Sequence, residues 1–240
     1  MTRALLLGCL LGGCSFSALP AGSAGPDATG VTDDGASLFV GCHINDPSLR
    51  MCLDFEDPQL APLVKDGSPF GHDATTENLV PMTRAGEQAA MFGSSSNATI
   101  ASKPDLALST LSIEAWMKPD NIYTASWALL DSQHYGLGIG GGEIVCAVGD
   151  KIVSVSATAY ANQWVHVACT NDDMHLTLFV NGDAVDCSSG SKLRGTNDVG
   201  IGVGLTGGID NVRLFAAALP PADVCTHAGR TGCAPGCSME

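Results

Sequence analysis

Aromatic side chains are scarce: they make up 5% of the 240 residues, with 3 Trp and 3 Tyr. Positive charge is also scarce, with 11 Lys and Arg against 25 Asp and Glu and a formal net charge of −14. Such a surface repels phosphate backbones and anionic headgroups, which excludes nucleic acid and bare anionic membrane as partners. No apolar run reaches the roughly 18 residues that crossing a bilayer needs. The 10 cysteines include no C-x-x-C pair, which excludes the usual spacing of zinc ligands. Gly140-Gly141-Gly142 opens no helix, so it is not a phosphate-binding loop.

Cysteine is what the chain has in plenty, and that number points to disulfides in an oxidising compartment. Met1-Thr2-Arg3 is followed by an apolar run over 4–11, too short for a membrane helix and suited to a signal peptide. Leu11-Gly12-Gly13-Cys14 resembles the bacterial lipobox, with Cys14 as the lipidated residue. Leu6-Leu7-Gly8-Cys9 has the same form but leaves a shorter apolar run, and cleavage near Ala24 would instead release a secreted protein. The expected parts are a signal peptide (1–13), lipidated Cys14 with a flexible tether (14–37), a globular domain (38–229) and a Cys-containing tail (230–240). The tether is rich in Ala, Gly, Ser, Pro and Asp and cannot bury a core. Ser15 after the lipidated position resembles the pattern of lipoproteins sent to the outer membrane. A lipid-anchored place in the bacterial envelope is therefore expected.

Processing leaves Cys42, Cys52, Cys146, Cys169, Cys187, Cys225, Cys233 and Cys237 as disulfide candidates. Cys42 and Cys52 flank an Asn45-Asp46-Pro47-Ser48 turn. Cys146 and Cys169 both fall at apolar parity on strands. Cys225, Cys233 and Cys237 need at least one partner from outside the tail, and Cys187 is available. Connectivity stays open at this stage.

The densest signal lies at 163–182. Val165, Val167 and Cys169 alternate with Trp164, His166 and Ala168; Leu176, Leu178 and Val180 alternate with His175, Thr177 and Phe179. Period-two alternation is that of half-buried strands. Asn171-Asp172-Asp173 supplies the turn between them, and Asn181-Gly182 is a tight-hairpin signal. Further strands are expected at 50–57, with Met51, Leu53 and Phe55 on one side, and at 126–130, 135–139, 143–148, 151–156 and 199–203. Short strands at turn-separated spacing with no helical period argue for an all-β sandwich or barrel.

The W-x-H-V-A-x-T run at Trp164 and the L-x-L-F-V-N-G run at Leu176 resemble the laminin-G-like, or concanavalin A-like lectin/glucanase, domains. Three other stretches fit the same family: Ile113-Glu114-Ala115-Trp116-Met117-Lys118-Pro119, the segment from Gly86 to Gly93, and Gly207-Gly208-Ile209-Asp210-Asn211-Val212-Arg213-Leu214-Phe215. The resemblance covers 38–229. It implies an all-β, two-sheet antiparallel jelly-roll sandwich, here disulfide-stapled, ending in a short helix near 218–224.

The resemblance also implies where function would sit. Hydrolases with this fold carry paired carboxylates on one strand; Asp54, Glu56 and Asp57 come nearest but lie in the opening strand, so no enzyme is expected. Many relatives hold calcium, for which Glu56, Asp66, Asp73 and Asp210 are the metal candidates; a hard cation of this kind takes six to eight oxygens. Trp116 and Trp164 fall in framework motifs and are assigned to the core. That leaves Trp127, Tyr123, Tyr135, His134 and Tyr160, of which Tyr123, Trp127 and Tyr135 are the candidate ligand-binding aromatics. The expectation is a non-catalytic surface lipoprotein that binds carbohydrate. The alternative is a protein adhesion or envelope-structural module. The partner is then a glycan or a cell-surface protein, with the membrane reached through the lipid anchor alone.

Overall fold

The computed structural model of the chain describes residues 41, 42, 46–193, 195–234 and 236. The signal peptide, Cys14, the tether, residues 38–40 and Cys237 lie outside the described residues. The strands run in order as β1 (Leu49–Leu53), β2 (Leu63–Val64), β3 (Ala74–Glu77), β4 (Val80–Arg84), β5 (Glu87–Phe92), β6 (Asn97–Ile100), β7 (Leu111–Pro119) and β8 (Ser126–Asp131). They continue as β9 (Tyr135–Gly140), β10 (Glu143–Val148), β11 (Lys151–Ser156), β12 (Val165–Asn171), β13 (His175–Val180), β14 (Asp183–Ser189), β15 (Val199–Val203) and β16 (Gly207–Phe215). One helix, α1 (Pro221–His227), follows them.

Two antiparallel sheets form a sandwich. The first has the order β14-β13-β12-β7-β16-β5-β4, with β1 paired to the far end of β16. The second has the order β11-β10-β9-β8-β15-β6-β3-β2. Val165, Val167 and Cys169 meet Ile144, Cys146 and Val148 in one core, as the period-two pattern requires. The Asn181-Gly182 turn carries positive φ at both residues, 49° and 83°, and closes the β13-β14 hairpin as its sequence predicts. The opening strand stops at Leu53 rather than continuing to 57, because Phe55 takes a left-handed φ of 57°; its ring still reaches the core.

The centre of the first sheet is buried on both faces. Every residue of β12 and β16 is buried. Ser112 holds the chain against the outer face: its hydroxyl donates to the Ala217 carbonyl (2.8 Å) and accepts the Leu219 amide (2.8 Å). That tether brings Leu219 and Val224 of the closing segment down onto Ala168, Phe179 and Phe215, making a second small core.

Among the described residues, disulfides join Cys42 to Cys52, Cys146 to Cys169, and Cys225 to Cys233. Cys187 is disulfide-bonded as well. The first two pairs are those the sequence places together.

Candidate functional site

On the outer face of the second sheet β9, third in the strand order, has no side chains. In β9, Leu137 and Ile139 enter the core, while the alternate positions are Gly136, Gly138 and Gly140. The neighbouring strand β8 carries an extra residue between Trp127 and Leu129, a bulge that sets both Trp127 and Leu130 outward beside Gly138 and Gly136. The Trp127 indole then lies over Gly136: a Cβ added there would sit 2.9 Å from Cε3 and 3.0 Å from Cζ3. Trp127 is half-buried, one side against the sheet and the other available to solvent.

Tyr123 lies beyond the other end of β9. It is 70% exposed, and its ring lies over Gly142 in the β9-β10 turn, 3.2 Å from the place a Cβ would occupy. Its backbone is fixed by two bonds: its amide donates to Asn121 Oδ1 (2.8 Å), and its carbonyl accepts from the Gly141 amide (3.1 Å). Tyr135 does not join them. Its side chain is inside the sandwich at 2% exposure, and its hydroxyl donates to the Leu106 carbonyl at 3.2 Å. Burial pushes its phenol pKa well up. The parity of β9 decides this: Tyr135 shares the inward side with Leu137 and Ile139.

The outer face of the first sheet holds the polar groups that sequence reasoning missed. A bulge between Asp210 and Arg213 in β16, with Asn211 at a φ of 49°, turns both charged side chains outward. Arg213 donates to Glu114 Oε1 at 2.6 Å, His227 of α1 approaches the same carboxylate at 2.9 Å, and His166 Nε2 is 3.7 Å from Oε2. Arg84 donates from Nε to Asp210 Oδ2 at 2.6 Å, and its guanidinium stacks 4.5 Å over Trp116. Trp116 is therefore buried, as expected, but outside the main core and against a cation. Trp164 packs on Gly208 of the same face. The alternation Glu114, Trp116 in β7 against His166 in β12 was the available signal, since it puts charged residues on a face that had to be covered by something.

The four calcium candidates do not outline a cation site among the described residues. Both oxygens of Asp66 are taken: Oδ1 accepts the amides of Cys52 (2.8 Å) and Ser68 (2.9 Å), and Oδ2 accepts the Ser68 hydroxyl (2.6 Å) and the His72 amide (2.7 Å). Asp73 is held by Lys65 at 2.6 Å and by the Asp66 amide at 2.9 Å; the Lys65 hydrogen bond lowers its pKa. Asp210 is paired with Arg84, and burial pushes its carboxyl up against that pull. Glu56 stays at the surface, its Oε2 3.4 Å from the Gln88 amide. Calcium needs several free oxygens on one centre, and these residues do not supply them. Melting of the oxidised protein is thus expected to coincide in calcium and in chelator. A rise of several degrees with calcium in a calorimeter would contradict that.

Residues 92–225 match the family model of the concanavalin A-like lectin/glucanases superfamily. No curated protein matches the chain. Among solved structures, the fold is similar to the binding domain of Paraclostridial Mosquitocidal Protein 1, at 16% identity and a TM-score of 0.61, covering 75% of this chain and 52% of that one. It is similar to the botulinum neurotoxin serotype G binding domain at 15% identity and a TM-score of 0.62, covering 75% and 50%. It is also similar to domain 4 of AbnA, an extracellular arabinanase from Geobacillus stearothermophilus, solved with arabinotriose: 15% identity, TM-score 0.62, covering 75% and 98%. The chain spans about half the length of the toxin binding domains. At these identities the likeness is one of fold. All three are binding domains or ligand-bound accessory domains rather than catalytic ones.

Proposed function

The chain belongs to the concanavalin A-like lectin/glucanases superfamily, and from that premise we propose that it binds carbohydrate without catalysis, through the outer face of its second sheet. The observation that carries this reading is the Trp127 indole lying over Gly136, with Tyr123 exposed beyond the far end of the same strand. A rigid aromatic surface backed by strands offers the apolar faces of sugar rings a stacking partner at little entropic cost. The domain solved with arabinotriose, and a similar botulinum neurotoxin type C structure whose toxin depends on ganglioside interaction for cell entry, support a glycan as the ligand of this fold. The buried carboxylates Glu114 and Asp210 are paired with arginines and closed to water, which supports a non-catalytic reading.

The test is a glycan array probed with the oxidised protein and with Trp127→Ala. Truncating a central aromatic anchor costs about 2 kcal/mol or more, about a 30-fold loss in affinity. Tyr123→Ala is expected to cost less, because that ring is mostly free in solvent. Hits unaffected by Trp127→Ala would move the site elsewhere.

A protein partner is the second reading. Ile152, 66% exposed, and Val203, 40% exposed, extend the apolar character of the same face. Binding that survives removal of all glycans from a target surface would favour it. In either case we propose attachment to the outer membrane through lipidated Cys14, resting on the Leu11-Gly12-Gly13-Cys14 sequence. Loss of fatty-acid labelling in Cys14→Ser is the check.

A further inference from the structure

The outward positions of the second sheet are poor in charge, and the charge they have is of one sign. Across one row the side chains are Val203 of β15, Trp127 of β8, Gly138 of β9, Val145 of β10 and Ser154 of β11, aligned by the strand register. The adjacent row runs Thr99, Gly200, Leu130, Gly136, Ala147 and Ile152. Neither row holds a lysine or an arginine. The charges that point the same way are Glu143, exposed at the start of β10, and Glu77, exposed at the end of β3. Lys151, which opens β11, sits at the edge with its ammonium 3.4 Å from the Asp150 carboxylate. Four strand spacings separate Val203 from Ser154, roughly 19 Å at ~4.8 Å each, the reach of a short oligosaccharide.

We infer that this face selects uncharged glycan chains, lying across the strands with one ring on Trp127, and rejects glycans that carry sialic or uronic acids. The inference rests on the carbohydrate-binding reading above and adds the ligand class to it. A carboxylate on the sugar would lose water on meeting an apolar row and would find no cation within either row to replace it. It would also approach Glu143 on a protein of net charge −14, a like-charge contact that suppresses the wrong partner. A neutral sugar needs no counter-ion: its apolar ring face meets Trp127, and Ser154, Thr99 and the exposed strand rims offer hydroxyls to its own.

The experiment compares matched glycan pairs that differ by one acidic sugar. Binding is measured with the full oxidised chain, Trp127→Ala and Val145→Lys, each verified as folded by circular dichroism. The expected result is binding of neutral oligosaccharides that is insensitive to salt, lost in Trp127→Ala, and at least about tenfold weaker for the acidic partner of each pair. Val145→Lys places a cation in the middle of the row and is expected to narrow that gap. Equal, Trp127-dependent binding of acidic and neutral glycans would overturn the inference and leave the carbohydrate reading standing. A blank for every glycan, or binding indifferent to Trp127→Ala, would overturn both.

Discussion

Glu114→Ala is expected to lower the stability of the fold by about 3–5 kcal/mol, the cost of stranding a buried partner charge. The carboxylate is 1% exposed and is shared by Arg213, His227 and, at 3.7 Å, His166. Burial alone pushes the Glu114 carboxyl up, but Arg213, with both histidines, overrides it and holds the pKa at about 2. Burial also holds His166 down at about 4, against the pull of Glu114. In the unfolded chain the histidine takes its proton near 6.5 and the glutamate near 4.5. The native state refuses both protons until lower pH. Stability contributed by His166 is thus complete above pH 6.5 and lost as pH falls toward 4; that of Glu114 is complete above 4.5 and lost toward 2. Urea midpoints measured from pH 7 to 3 should decline across both windows. His166→Gln should flatten the upper window and leave the lower. A midpoint constant from pH 7 to 4 in the wild type would contradict the assignment.

Removing the Cys146–Cys169 disulfide by replacing both residues with alanine is expected to cost about 3–4 kcal/mol. The bond connects β10 of the second sheet to β12 of the first, across the core, over a sequence separation of 23. Chain entropy gives roughly 3 kcal/mol for a loop of that length, and deleting two sulfurs that are 0% exposed adds lost packing. The Cys42–Cys52 bond closes only 10 residues and is expected to matter less. Thermal melts of the two double-alanine variants compare them directly. If the Cys42–Cys52 variant melts lower, the cross-sheet bond is not the principal staple.

Strand positions were legible where a period of two ran between unambiguous turns. β10, β11 and β15 fall where the sequence puts them, because glycine and aspartate mark the turns beside each run. β14 was not legible: Asp183–Ser189 reads as polar with no alternation, and it is a strand because the Asn181-Gly182 turn delivers it to the edge of β13. Site residues were less legible than strands. Trp127 could be named once Trp116 and Trp164 were set aside as framework residues, but Tyr135 needed the inward parity of β9, which Gly136 and Gly138 conceal by having no side chain to assign. The partners of the metal candidates were not legible for a different reason. A carboxylate's partner is set by the fold, and Arg84, 126 positions before Asp210, carries no local sign that it will reach it.

The closing helix has one more effect. By covering the outer face of the first sheet, α1 and residues 217–219 leave substitutions there few tolerated outcomes: each would meet a core on one side or a buried ion pair on the other. Among the described residues no α-helix lies over β8 to β11 of the second sheet, and its outward Val145, Ala147, Ile152 and Ser154 take no part in the core. Apart from Gly136 and Gly138, where a Cβ would collide with β8, variation can therefore accumulate on that surface at little cost to folding. A scaffold of this kind changes its recognition by repainting a single wall while the rest of the building is held up from the other side.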